Sequence, residues 1–247
     1  MRPIETAMVM AAGHGTRMRP LTDDRPKAMV EVAGRALIDH TLDRLRAAGV
    51  RRAVVNVHAF ADRLEAHLAG RTDLEIIISD EREELLETGG GVVKARSLLG
   101  EDPVFVCNID AVWVEWDGVL PAMLEAWDGE IMDELFLLAE REHCLGYGGA
   151  GDFEIEDGEI GDGRVRRRSG ATAPWVYAGV EIFKPQLVDG LAVERFSRNR
   201  VWDATLGAGR VRGVPLPGYW MHVGDPRARQ AAEAVLHEVV LEKVEGE

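Results

Sequence analysis

The stretch Gly13-His14-Gly15-Thr16-Arg17-Met18-Arg19-Pro20-Leu21-Thr22, followed by Pro26-Lys27, holds the densest set of residues able to do chemistry. Glycines let a chain turn sharply, so that successive backbone N–H groups converge on an anion. Arg17, Arg19 and Lys27 place fixed positive charge beside that turn, a combination suited to a polyphosphate. Two other phosphate loops are excluded. No Gly-Lys pair is followed by Ser or Thr, as a P-loop needs. A dinucleotide fingerprint needs a third glycine where Met18 stands. The alternative is a tight turn carrying solvated arginines.

Three further stretches stand out. Leu86-Glu87-Thr88-Gly89-Gly90-Gly91 precedes a helical pattern. Glycines there either admit a flat ring or a phosphate close to the backbone, or form a flexible connection. Asn108-Ile109-Asp110 ends a very apolar run, where a carboxylate is poised for a hard cation or serves a turn. Trp220-Met221-His222-Val223-Gly224-Asp225-Pro226 comes last. Asp225 with Pro226 behind it is a good helix N-cap, and a lone His222 is often a packed histidine.

The elements that must position these residues follow from periodicity. Ala7–Ala12, Ala53–Val57, Leu74–Ser79 and Pro103–Asn108 are short apolar runs that predict buried strands. Between them, Leu37–Ala48, Ala61–Leu68 and Gly91–Leu99 carry helical spacing. Strands alternating with helices predict an α/β fold, a parallel sheet covered on both faces. Ligands then bind at the carboxyl ends of the strands, which singles out Gly13–Arg17, Asn56–His58, Ser79–Glu81 and Asp110. The second half predicts strands at Glu134–Ala139, Val176–Phe183 and Val211–Pro215. It also predicts hairpins and loops over 146–172 and an amphipathic helix over Arg227–Lys243. No internal repeat occurs.

Composition bounds the function. The 247 residues include 43 acidic and 29 basic side chains, a net charge of −14, which argues against a nucleic-acid or anionic-membrane binder. Apolar residues make up 46% and charged residues 29%, values of an ordinary globular chain. Two cysteines, Cys107 and Cys144, are too few for a disulfide framework or a thiolate zinc site. Glu5 interrupts the apolar start, and no apolar run nears the roughly 18 residues of a membrane span. A cytoplasmic protein is expected, with small-molecule partners and neither nucleic acid nor membrane.

Taken in order, the Gly13–Lys27 loop, the LETGGG segment, the strand ending in Asp110 and the Trp220–Gly224 segment resemble the sugar-1-phosphate nucleotidyltransferase family. The loop matches that family's G-x-G-T-R-[ML]-x-P-L-T-x-x-x-P-K pattern, and the likeness spans nearly the whole chain. The resemblance implies a single GT-A/Rossmann-like domain over 1–247, with a mixed, mostly parallel central sheet and helices on both faces. Residues 1–110 are its nucleotide half and 111–247 its sugar-phosphate half. It implies a metal-dependent reaction of an NTP with a sugar 1-phosphate, giving an NDP-sugar and pyrophosphate. By the same resemblance Ala11, Ala12, Gly13, His14, Gly15, Thr16, Arg17, Thr88 and Asn108 hold the nucleotide. Glu81 and the Gly89–Gly90 backbone face its base. Lys27 lies between the two reacting phosphates, so Lys27, Arg17 and Asp110 are the catalytic set. Gly146, Asp152, Tyr177 and Gly179 border the sugar.

Two departures from the family pattern bear on the site. The usual W-x-D-V-G carries a metal-binding Asp where His222 stands here. The expected metal site is thus Asp110 with His222, directly or through water, or else with Asp225. The expected cofactor is Mg²⁺, with Mn²⁺ as the alternative that an imidazole favours. The family's Glu-Lys-Pro segment has no counterpart. Arg164-Val165-Arg166-Arg167-Arg168 stands in its region. Arg166 and Arg168 are candidates to bind the sugar phosphate or a carboxylate on the sugar, the alternative being a solvated hairpin face. A same-fold alternative transfers another nucleotide to another sugar or alditol phosphate. An alternative of another class is a nucleotide-sensing module without turnover.

Overall fold

The computed structural model describes residues 3–115, 118–156, 158–161 and 163–245. Asp157 and Asp162 of the expected 146–172 hairpins, and the side chains of the last helix beyond His237, lie outside the described residues. In chain order the elements are β1 (Thr6–Met10), β2 (Glu31–Val32), β3 (Arg35–Ala36), α1 (Leu37–Ala47), β4 (Arg52–Val57), α2 (Ala61–Leu68) and β5 (Glu75–Asp80). Next come α3 (Glu87–Leu99), β6 (Val104–Asn108), β7 (Ala111–Glu115), α4 (Val119–Ala126), β8 (Glu134–Glu140), β9 (Cys144–Leu145), β10 (Phe153–Glu156) and β11 (Arg164–Arg167). The chain closes with β12 (Trp175–Phe183), α5 (Asn199–Gly207), β13 (Val211–Pro215), β14 (Gly218–His222) and α6 (Pro226–Glu245).

Among the described residues nine strands form a mixed sheet in the order β11-β10-β12-β6-β1-β4-β5, with β8 paired to β12 and β13 to β8. The run β6-β1-β4-β5 is parallel, joined by crossover helices. Strand β12 enters antiparallel beside β6 and carries the second half of the chain. A small sheet, β7-β14-β9, brings His222 opposite Ala111 and so next to Asp110.

Burial on both faces explains the continuous apolar runs. Ala7, Val9, Ala53, Val55, Val57, Phe105 and Cys107 point to one face and pack with Leu37, Ile38, Leu42 and Leu45 of α1 and Leu64 and Leu68 of α2. Met8, Val54, Val104 and Val106 point to the other and pack with Val92, Val93, Ala95 and Leu99 of α3 and Val201 of α5. Side chains alternate across a strand, so each strand feeds both layers. No helix among the described residues is long and apolar enough to cross a membrane.

One expected boundary is corrected. Helix α3 begins at Glu87, not after the glycines, so Gly89, Gly90 and Gly91 lie buried inside its first turns. Interior glycines weaken a helix by about 1 kcal/mol each relative to alanine. The reason they stand here is close packing: a Cβ on Gly90 would fall 2.0 Å from the Glu194 carbonyl, and one on Gly89 2.4 Å from the Phe196 ring.

Candidate active site

The carboxyl ends of β1, β4 and β6 open into a cleft of about 430 Å³, lined by Met10–Arg17, Lys27, Asn56, Leu85, Glu87, Thr88, Asn108–Asp110 and Gly224. This is the edge at which α/β sheets bind ligands. Met10 and Asn108 are register partners, so the glycine loop and Asp110 start from adjacent strand ends. The loop keeps its shape through short bonds. Gly15 has φ +63°, and its carbonyl accepts the Met18 N–H at 2.8 Å and the Thr22 hydroxyl at 2.9 Å. Met18 and Thr22 are buried and anchor the turn. A Cβ at Gly15 would lie 2.9 Å from the Lys27 Cβ, so glycine is what allows Lys27 to cross the loop.

Lys27 reaches Asp110 across the cleft floor, Nζ to Oδ2 at 2.8 Å, with its side chain only 10% exposed. His222 Nε2 lies 3.4 Å from the same oxygen. The backbone beside His222 is fixed, because the Val223 N–H donates to the Asp110 carbonyl at 3.0 Å. Its ring is parallel to that of Trp220, whose indole N–H donates to the Ala178 carbonyl. Burial alone would raise the Asp110 pKa. The His222 hydrogen bond and the Lys27 charge outweigh it and hold the carboxyl well below the usual range. Asp225 is used otherwise. Its Oδ1 accepts the N–H groups of Arg227 and Ala228 and caps α6.

Asn56, singled out in the sequence only by its place at a strand end and given no role there, ties the site together. It is 2% exposed; its Oδ1 accepts the N–H groups of Ala11 (2.6 Å) and Ala12 (3.2 Å), and its Nδ2 donates to Glu81 Oε1 (2.7 Å). The signal available was one amide inside the apolar run AVVNV. Glu81 is corrected by the same contacts. It is fully buried, its other oxygen accepts the Leu86 N–H, and it shapes the 82–86 loop rather than facing a base. His58 joins the same corner, one ring nitrogen 2.7 Å from the Glu81 carbonyl and its ring edge-on to His14.

The Gly89–Gly90 backbone is corrected too. Both N–H groups donate to the Phe196 carbonyl, at 2.8 and 3.2 Å, and so turn away from the cleft. The Phe196 N–H donates back to the Leu86 carbonyl, and the Arg198 N–H donates to Thr88 Oγ1 at 2.9 Å. Residues 194–198 thus form a strap stitched along the start of α3. That leaves Leu85, Glu87 and Thr88 as the cleft wall on this side.

On the side expected to border the sugar, β12 bulges between Tyr177 and Glu181, with Gly179 at φ +82° and its Cβ position 2.8 Å from the Ala111 Cβ. Asp152 accepts the Tyr177 N–H at 3.0 Å and the Tyr147 hydroxyl at 3.3 Å. Gly146, at φ +72°, passes under the His222 carbonyl. Tyr177 departs from expectation: its ring packs edge-on against Trp202 and Phe136.

The arginine cluster divides. Arg164 and Arg166 sit on β11 opposite Glu156 and Glu154 of β10 and pair with them, the solvated hairpin face. Arg166 is thereby corrected as an anion site. Arg167 pairs with Asp203. Arg168 differs: its Nε and Nη1 donate to the carbonyls of Gly151, Gly170 and Ala171, with no carboxylate partner among the described residues.

The described residues hold no cluster of three His, Cys, Asp or Glu side chains able to bind a metal unaided. Asp110 and His222 fit a cation that draws its remaining ligands from substrate phosphates.

Residues 7–150 match the model of the MobA-like NTP transferase domain family. The chain is 53% identical to the N-acetylmuramate α-1-phosphate uridylyltransferase of Caulobacter vibrioides, over 94% of this chain and 97% of that one. It is 31% identical to the enzyme of the same name from Neisseria meningitidis serogroup B, over 93% and 97%. A UDP-glucose pyrophosphorylase complexed with UDP-glucose superposes with a TM-score of 0.78 at 16% identity, over 95% of this chain and 99% of that one.

Proposed function

Since the chain belongs to the MobA-like NTP transferase family and is a sugar-1-phosphate nucleotidyltransferase, we propose that it transfers a uridylyl group from UTP to N-acetylmuramate α-1-phosphate. The products are UDP-N-acetylmuramate and pyrophosphate, a reaction that fits recycling of the cell wall. The observation that carries the site reading is the convergence of Gly13–Arg17, buried Lys27 and Asp110 at one strand edge. The uridylyl and muramate assignments are supported by likeness to the two bacterial relatives.

A sugar-phosphate oxygen attacks the α-phosphorus in line; the bond from that phosphorus to the β-bridging oxygen breaks and pyrophosphate leaves. Little covalent work falls to the protein, so positioning and charge neutralisation dominate. The Gly13–Arg17 N–H groups and the Arg17 guanidinium hold the triphosphate. Arg17 makes no direct ion pair among the described residues; its charge is felt by Asp225 without contact and stays open to an anion. Lys27 stands where two anions must meet and offsets their repulsion. Asp110 holds Lys27 in place and, with His222, would hold a divalent cation, Mg²⁺ or Mn²⁺. Such an ion, when bound, neutralises phosphate charge.

N-acetylmuramate differs from other amino sugars by a lactyl carboxylate. Arg168 is suited to read it. Its guanidinium is fixed by three backbone carbonyls at the Gly151–Asp152 corner, and those neutral acceptors leave its charge uncompensated. Pyrophosphate release measured with four NTPs against several sugar 1-phosphates tests the whole reading. UTP with N-acetylmuramate α-1-phosphate should be the best pair, and Arg168→Gln should raise KM for that sugar without moving KM for UTP. A different best pair would replace the substrate assignment with a guanylyl- or cytidylyltransferase, and no release with any pair would favour a binding module.

A further inference from the structure

The strap at 194–198 carries a buried charge cluster outside the catalytic cleft. Arg198 is 3% exposed, and its Nη2 donates to both Glu134 of β8 and Glu181 of β12, each fully buried. Thr205 donates to the second Glu134 oxygen, and the Trp202 indole to the second Glu181 oxygen. Phe183 lies under the guanidinium, 4.2 Å from its carbon to the ring centroid. Yet Arg198 Nε and Nη1 are buried without a partner among the described residues. Each orphaned donor costs about 1–3 kcal/mol, so this half-satisfied network is a poor device for stability alone.

Its placement suggests another purpose. The Arg198 side chain is rooted in β8 and β12, strands of the second half, while its backbone N–H holds Thr88. Two residues earlier, Phe196 receives Gly89 and Gly90, and Arg195 pairs with Glu87 at 2.9 Å. Glu87 is held at φ +61°, a left-handed conformation rarely adopted by a side chain of its size. Strain of that kind persists only where the surroundings impose it. Glu87 and Thr88 are cleft wall.

We propose that Arg198 is a positioning residue for the nucleotide: anchored by Glu134 and Glu181, it presses the strap onto α3 and so sets Leu85, Glu87 and Thr88 at the NTP. The inference rests on reading the cleft as the NTP site. Two variants test it by separate routes. The triple variant Arg198→Met, Glu134→Gln, Glu181→Gln removes the buried charges together, which avoids leaving one unpaired. Gly90→Ala keeps every charge but drives a Cβ to 2.0 Å from the Glu194 carbonyl. Both should raise KM for the NTP by about tenfold while kcat and KM for the sugar phosphate stay near wild type. Amide exchange at Gly89 and Gly90 should quicken in both, a readout independent of turnover. Unchanged NTP KM in folded variants overturns the role of Arg198. Arg17→Ala is the control: if it too leaves NTP KM unchanged, the nucleotide reading of the cleft falls with it.

Discussion

At the scale of single residues, the proposed catalytic set meets at one oxygen. Asp110 Oδ2 receives Lys27 at 2.8 Å and faces His222 at 3.4 Å, so a lysine and an imidazole share one carboxylate in a half-buried floor. Preorganised charge of this kind lowers the barrier without reorganising during reaction. Lys27→Ala and Asp110→Ala should each lower kcat by at least about a hundredfold, the scale for losing one such group. Steady-state turnover with saturating substrates checks this, and near-wild-type rates in either variant would remove Lys27 and Asp110 from catalysis. His222 is the position where a second carboxylate would strengthen a hard-cation site. His222→Asp should therefore tighten Mg²⁺ activation and reduce any advantage of Mn²⁺. Metal titration of the apo enzymes decides it: the same affinity and ranking in both would show that His222 does not ligate.

Elements convert those residues into a site through a few ties between loops. Asn56, at the end of β4, connects the glycine loop to Glu81 and so to the loop before α3. Asn56→Ala would orphan two backbone donors and leave the buried Glu81 carboxylate short of a partner. Denaturant unfolding should show a loss of about 1–3 kcal/mol, with a rise in NTP KM beyond that in sugar-phosphate KM. Equal changes in both constants would make Asn56 a stability residue only. The strands were legible because burial on both faces writes them as continuous apolar runs. Asp110 was legible as a carboxylate closing such a run. The glycine trio was misread because glycine serves loops and close approaches alike. What decides between them is the strap, whose Arg195 meets Glu87 from 108 residues away. Register hid the fate of the arginine cluster: Glu154 and Glu156 are visible in the sequence, but only the β10–β11 pairing sets them opposite Arg166 and Arg164. Glu181 was visible as a charge inside VYAGVEIF, while its partner Arg198 was not.

For the molecule as a whole, some of the acidic excess gathers around single cations. Arg71 meets Asp39, Asp43 and Asp73, and Arg82 meets Asp62, Glu65 and Asp80. Against a net charge of −14, a cleft with unpaired Arg17 becomes a local positive focus for an anionic substrate. The same accounting exposes one weak point in stability, the interior cluster with two glutamates and one arginine. Burial pushes the Glu181 carboxyl up to about 8, more than the Arg198 charge can offset, and raises Glu134 as well. In the unfolded chain a glutamate titrates near the ordinary value of 4.5. Between those values the native state binds more protons than the unfolded state, so stability falls as pH rises. The contribution is fully present below the unfolded value and is lost as pH passes the folded one. Denaturant midpoints measured from pH 5.5 to 8.5 should decline in the wild type. In Glu181→Gln, which keeps the shape but cannot ionise, that decline should flatten. An identical slope in the two proteins would mean that Glu181 is already ionised at neutral pH and that the cluster carries a net negative charge in the folded enzyme.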